Sequence, residues 1–221
     1  MTNKSKLSKR YSLSKLPHGW RETIFGNLHS ERLKLAVAVL TACGCRPSEL
    51  ERGVVVSLKD GLLRIGIQGS KVDEVAGRGQ ALRLLTVESE THWGKYLSER
   101  ISRNDGQPIL VTYDAGGISQ RLREKSRELW PRRSTLISAY CYRHFLGKSM
   151  KESGEDKDKI AAALGHATDF SQYAYGRAGG GKKSAGQHGI KMAITKLPIR
   201  HSPKTGKLNR MINSRNAPEA R

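Results

Sequence analysis

Leu164-Gly-His-Ala-Thr-Asp-Phe-Ser-Gln-Tyr-Ala-Tyr175 is the stretch on which the reading of this chain turns. Residues 156–164 read as a helix, and Gly165 closes it in a tight turn, since a helix C-terminus favours a residue that tolerates the left-handed conformation. A short second helix ending in Tyr173 and Tyr175 follows. Read for packing alone, this is a helical hairpin whose tyrosines sit in a core. Read for chemistry, it presents an imidazole at a turn and a phenol nine residues later. The two tyrosines lie two positions apart, so on a helix they point about 200° apart and only one can face a cleft.

The rest of the chain has to accommodate that choice. It has 221 residues, with 40 Lys and Arg against 20 Asp and Glu, a formal charge of +20. Self-repulsion of that size is usually offset by an anionic partner, and nucleic acid fits best because each phosphate neutralised releases counterions. A membrane surface fits less well and no membrane partner is expected: no apolar run reaches the roughly 18 residues a span needs, and no amphipathic helix with a broad apolar face sits among the basic residues. A ribosomal protein would be as basic but would show less apolar periodicity. Cys43, Cys45 and Cys141 make an odd count without a signal peptide, which points to a reducing, cytoplasmic setting, and a nucleic-acid partner adds the expectation of nucleoid association. Cys43 and Cys45 are one residue apart with no matching Cys or His pair, so they read as small core residues and no metal site is expected.

Taken in order, residues 1–18 are a basic, flexible arm. Residues 19–28 suggest a short helix. Ser30 reads as an N-cap for a buried helix over 31–43, with Leu33, Ala36, Val37 and Leu40 at helical spacing, and Gly44 stops it. Pro47 opens the next helix. Arg46 therefore sits at a bend where its side chain can enter a cleft, and Glu49, three residues on, can orient it. Residues 53–58, 62–67 and 82–87 alternate or are β-branched and read as a three-stranded antiparallel sheet. The long Gly-rich link between the last two is a hairpin tip with Lys71 near its start. Helices are expected over 89–102, 117–129 and 136–150, with a short apolar run at 109–111. Arg121, Arg123, Lys125 and Arg127 line the polar side of the second, either as a phosphate-facing surface or as an ordinary solvated face. After Ala178 the composition becomes Gly-rich and basic, with Lys182 and Lys183, and 179–221 reads as a C-terminal extension. Its one apolar patch, 190–197, is the best candidate for docking on a neighbouring subunit.

Arg46 with Glu49, Lys71 in a β-hairpin, Arg143 with His144, then His166 and Tyr175: this order and spacing resembles the catalytic domain of the tyrosine recombinases, the phage-integrase family, over residues 20–178. The resemblance implies an α+β, mainly α-helical catalytic domain over 19–178. It also implies DNA cutting and rejoining through a 3′-phosphotyrosyl intermediate, for integration or excision of a mobile element. Arg46 and Arg143 match the two arginines that bind the scissile phosphate, where two planar guanidiniums suit its non-bridging oxygens. Removing one such donor typically costs on the order of 3–4 kcal/mol of barrier. Lys71 matches the proton donor to the leaving 5′-hydroxyl, and His166 the residue that hydrogen-bonds the phosphate. The family spacing from His166 selects Tyr175 as the nucleophile, a phenol of ordinary pKa about 10 that needs such assistance, and leaves Tyr173 to packing. No cofactor is implied, because the bond energy is kept in the phosphotyrosine. Implied partners are double-stranded DNA and either further copies, a tetramer on two DNA sites, or an accessory recombinase or DNA-bending protein.

Two departures bear on activity. The family's histidine three residues before the second arginine is Tyr140 here. A phenol can hydrogen-bond phosphate but is no neutral-pH base, although His144 stands nearby. Too few residues precede the domain for the family's N-terminal core-binding clamp, so site specificity is expected from the arm, the tail, oligomerisation or a partner, unless the chain is a fragment of a larger gene. The competing readings are a recombinase-derived DNA-binding regulator without strand exchange, and a type IB-like topoisomerase.

Overall fold

Caps in the sequence set the helices. The computed structural model describes residues 16–73, 75–171 and 188–202. Helix α1 spans Trp20–Gly26 and α2 spans Glu31–Cys43. Ser30 Oγ accepts from the Leu33 amide, and Gly44 ends α2 at φ 57°. A Cβ there would also stand 2.6 Å from Leu146 Cδ2, so both conformation and space require glycine. Every residue of α2 from Ala36 to Cys43 is buried, which makes it the central helix of the core. α3 (Pro47–Arg52) follows at once, with proline at its first position.

Strands β1 (Val54–Lys59), β2 (Leu62–Gln68) and β3 (Leu82–Glu88) form the expected antiparallel meander. Among the described residues the sheet nevertheless has five strands, in the order β4-β1-β2-β3-β5. β4 is the short apolar run Ile109–Val111, paired with β1. β5, Ile190–Thr195, pairs antiparallel with β3. The apolar patch at 190–197 is therefore largely an edge strand of this chain's own sheet and not a free segment awaiting a neighbour. Both additions lie far in sequence from the strands they join, and β4 is too short to show alternation. A register shift between Thr86 and Val87 turns Ile190 into the core and leaves Met192 and Ile194 on the other face.

The inner face (Val54, Val56, Leu63, Ile65, Ile67, Leu85, Val87) packs on the helices. α4 (His92–Ser102) lies against β1. It starts at 92, later than expected, because the Thr91 hydroxyl caps it through the Gly94 amide. α5 (Ala115–Leu129) and α6 (Ala139–Glu152) complete the helical layer, and α7 (Lys157–Ala163) lies against β3 and β5. The outer face carries a cross-strand row of Leu110, Val55, Gly66, Leu84 and Ile194, one residue from each strand. Cys43, Cys45 and Cys141 are buried free thiols, as expected. No described helix is long and apolar enough to cross a membrane.

The segment 188–202 is tied into the fold at both ends. His188 Nε2 stands 3.3 Å from Glu155 Oε1, ahead of α7, and the Ile190 amide donates to His188 Nδ1 at 3.0 Å. Beyond β5, the Arg200 amide donates to Ala167 O at 3.0 Å, and the Ser202 amide to Asp169 Oδ1 at 2.9 Å. The chain leaving β5 thus braces the stretch that follows His166.

Candidate functional site

Three segments far apart in sequence meet at the C-terminal end of α2. The first is the bend after Gly44. Arg46 precedes α3 in an extended conformation, and Glu49 reaches back so that its Oε2 accepts from the Arg46 amide at 2.7 Å. Glu49 Oε1 accepts from Arg46 Nη1 at 2.5 Å. The second is α6, which buries Arg143. Its Nη1 donates to Gly44 O at 3.0 Å, and its Nη2 donates to Leu164 O and lies 3.1 Å from His166 Nε2. The third is the end of α7. The Gly165 amide donates to Ala162 O and the His166 amide to Ala161 O, the paired bonds of a Schellman turn, with Gly165 at φ 63°.

Electrostatics sharpen the arrangement. A guanidinium can only donate, so His166 Nε2 accepts and its ring is the neutral Nδ1–H tautomer. Burial, then the positive charges of Arg143, Arg46 and Arg83, hold its pKa well below the usual histidine value. Burial alone would raise the Glu49 carboxyl, but Arg83, Arg46 and Arg143 overrule it and bring the pKa down to about 2. Three guanidiniums then face one carboxylate, and the cluster carries an excess of positive charge with His166 neutral. Arg46 keeps 12% of its side chain exposed, so that charge is reachable from solvent. The arrangement suits an anion with several acceptor oxygens.

Arg83 was absent from the residues singled out in the sequence. It lies on β3, fully buried, and its Nη1 and Nη2 hold both Glu49 oxygens at 3.1 and 2.8 Å while Nε donates to Ala163 O at 3.1 Å. A signal was available: Arg83 shares strand parity with Leu85 and Val87, so alternation puts it on the apolar face.

The other expected residues are spread more widely. Lys71 is exposed on the hairpin; its neighbour Ser70 is anchored to Ser48 of α3 at 2.7 Å, and Arg52 donates to Gly69 O. Tyr140 is half-buried in the first turn of α6. His144, also half-buried, lines a separate cavity of about 660 Å³ with Pro17, Trp20, Trp93 and Phe145. On α5, Arg123 and Arg127 are exposed, Arg121 is exposed beside Glu124 at 3.3 Å, and Lys125 is engaged with Glu128 at 2.7 Å. Tyr173, Tyr175, Lys182, Lys183 and residues 1–15 lie outside the described residues.

No protein-family model matches the sequence, and no curated protein does. Solved structures do match. XerA recombinase is similar over 93% of this chain and 65% of its own, with a TM-score of 0.53 at 18% identity. XerH site-specific recombinase bound to its palindromic difH substrate, in a post-cleavage complex, is similar over 75% of this chain and 47% of its own, with a TM-score of 0.52 at 17% identity. Its pre-cleavage complex matches alike, with a TM-score of 0.51 at 18% identity. The chain thus spans under two thirds of XerA and about half of XerH, and the likeness at these identities is one of fold.

Proposed function

We propose that this chain, built on the catalytic-domain fold of the tyrosine recombinases, is a site-specific DNA recombinase or integrase. The observation that carries the reading is the convergence of Arg46, Arg143 and His166, from positions up to 120 residues apart, into one partly exposed cationic cluster. Excess positive charge in a recessed, preorganised site is what a phosphodiester needs as charge builds on its non-bridging oxygens.

In the proposed reaction the Tyr175 phenol gives up its proton to solvent and its oxygen attacks the scissile phosphorus. The P–O5′ bond breaks, a 3′-phosphotyrosine forms, and the 5′-oxygen leaves as a hydroxyl after taking a proton. Arg46 and Arg143 bind the non-bridging oxygens, and neutral His166 hydrogen-bonds one of them. Lys71, on its anchored hairpin, supplies the proton to the leaving oxygen. Attack by the freed hydroxyl of a second strand reverses these steps and completes exchange. Tyr140 supports the site, His144 acts on it only indirectly as the neighbour of Arg143 in α6, and Arg121, Arg123, Lys125, Arg127, Lys182 and Lys183 contact DNA phosphates. Double-stranded DNA is the substrate, further copies or an accessory protein complete the assembly, and integration or excision of a mobile element is the setting.

Covalent trapping tests this directly. A nicked duplex drawn from sequence flanking the gene is incubated with the chain and run on a denaturing gel. A protein–DNA adduct is expected, lost with Tyr175→Phe and kept with Tyr173→Phe. Loss with Tyr173→Phe alone would move the nucleophile. No adduct on DNA that the chain binds would favour a binding-only regulator, the reading to which Tyr140 in place of the family's histidine also points.

A further inference from the structure

Arg83 is among the largest fully buried side chains of the molecule, and it is a charge. Three of its five N–H groups are spent inside the protein, on the two Glu49 oxygens and on Ala163 O, and the side chain has no exposed surface from which to reach a substrate. We propose that Arg83 is a positioning residue for DNA cleavage: it takes up the charge of Glu49, which leaves the charge of Arg46 for the scissile phosphate, and it locks the Leu164–His166 turn to the start of α3. This role rests on the cleavage reading given above.

The competition at Glu49 carries the charge half of the proposal. Its Oε1 lies 2.5 Å from Arg46 Nη1, close enough that the two alone would form a self-neutralising pair, and a phosphate would then compete with a carboxylate for the same guanidinium. Arg83 grips the same carboxylate through both of its terminal nitrogens with no exposure on either partner. Glu49 can then hold Arg46 in place, through its amide as well as its guanidinium, without cancelling it. The geometric half lies at Gly165, where a Cβ would stand 2.6 Å from Arg83 Nη1. The turn is packed directly on the guanidinium, and its neighbouring carbonyls, Ala163 O and Leu164 O, accept from Arg83 and Arg143. One side chain therefore spans β3, α3 and the end of α7.

A buried ion pair can also serve stability alone, and charge restoration separates the two roles. Arg83→Met removes one positive charge from the cluster. Arg83→Met combined with Glu49→Gln restores the parental net charge and still offers Arg46 an acceptor oxygen. Single-turnover cleavage of the nicked duplex at saturating DNA, DNA affinity and urea unfolding are measured for all three proteins. Arg83→Met is expected to cleave on the order of 100-fold more slowly with little change in affinity, and the double variant to recover at least about tenfold of that loss. A folded double variant no faster than Arg83→Met, or Arg83→Met cleaving at the parental rate, overturns the role. If Arg83→Met does not fold, the double variant decides: cleavage within about tenfold of the parent supports the role, and loss of cleavage in the folded protein overturns it. A parent that makes no adduct overturns the cleavage reading itself, and with it this role, whereas an active parent beside an equally active Arg83→Met overturns this role alone.

Discussion

His166 at mildly acidic pH and Glu49 at lower pH both hold protonation states that water would not give them, and stability should record it. The folded His166 resists protonation, while the unfolded chain takes up that proton near pH 6.5. The unfolded state therefore binds more protons below about pH 6.5, and stability falls as pH drops, by at most about 1.4 kcal/mol per pH unit for this group. His188, also pushed down by burial, adds in the same direction. Glu49 acts lower: its contribution is present above the ordinary carboxylate range and is lost as pH falls towards about 2. Urea midpoints at pH 7.5, 6.0 and 5.0 should decline for the parent and decline less steeply for His166→Gln. An identical slope in the two proteins would mean that the buried imidazole is protonated in the fold.

The turn closing α7 and the strand β5 each make a separable prediction. Gly165→Ala forces an L-residue to φ 63° and drives a methyl group into Arg83, so it should cost about 1–3 kcal/mol in urea unfolding. The same substitution should slow cleavage, because the displaced guanidinium is the one that holds Glu49. For β5, Ile190 is 2% exposed and Ile194 is 49% exposed on the same strand. Ile190→Ala should cost about 2–4 kcal/mol and Ile194→Ala under about 0.5 kcal/mol. Equal, negligible losses would show that β5 stands outside the cooperative unit. The helices and the β1–β3 meander were legible because each shows its period within a dozen residues: Ser30 and Gly44 bracket α2, and alternation marks the three strands. β5 alternates too, as Ile190, Met192 and Ile194, yet it follows a Gly- and Lys-rich stretch that reads as a tail. Nothing local says that it returns to β3 over a hundred residues upstream.

For the whole molecule, a charge of +20 predicts that the proposed duplex binding is strongly salt-dependent. If 6–10 phosphates are contacted, affinity should fall by about 10³–10⁵ between 50 and 200 mM salt. The exposed Arg123 and Arg127 should each account for about one unit of the log–log slope when changed to Gln. Lys125, already engaged by Glu128, should account for less. Titrations by fluorescence anisotropy at four salt concentrations would check this, and a slope unmoved by Arg123→Gln with Arg127→Gln would place the DNA elsewhere than along α5.

Sequence alone determined the mixed helical and antiparallel character, the large positive charge, and four of the five residues that meet at the cluster: Arg46, Glu49, Arg143 and His166. Those properties are carried by residue type, local period and order along the chain, which are visible in any window. Tertiary structure alone decided that Arg83 completes the cluster, that His144 faces a different cavity, and that the sheet has five strands. Each of these depends on contacts between residues far apart: Arg83 lies 34 residues from Glu49 and 80 from Ala163, and Arg143 lies 99 from Gly44. A buried guanidinium is tolerated where folding brings acceptors such as a carboxylate and a carbonyl to its nitrogens together, and no stretch of sequence records where those acceptors will be.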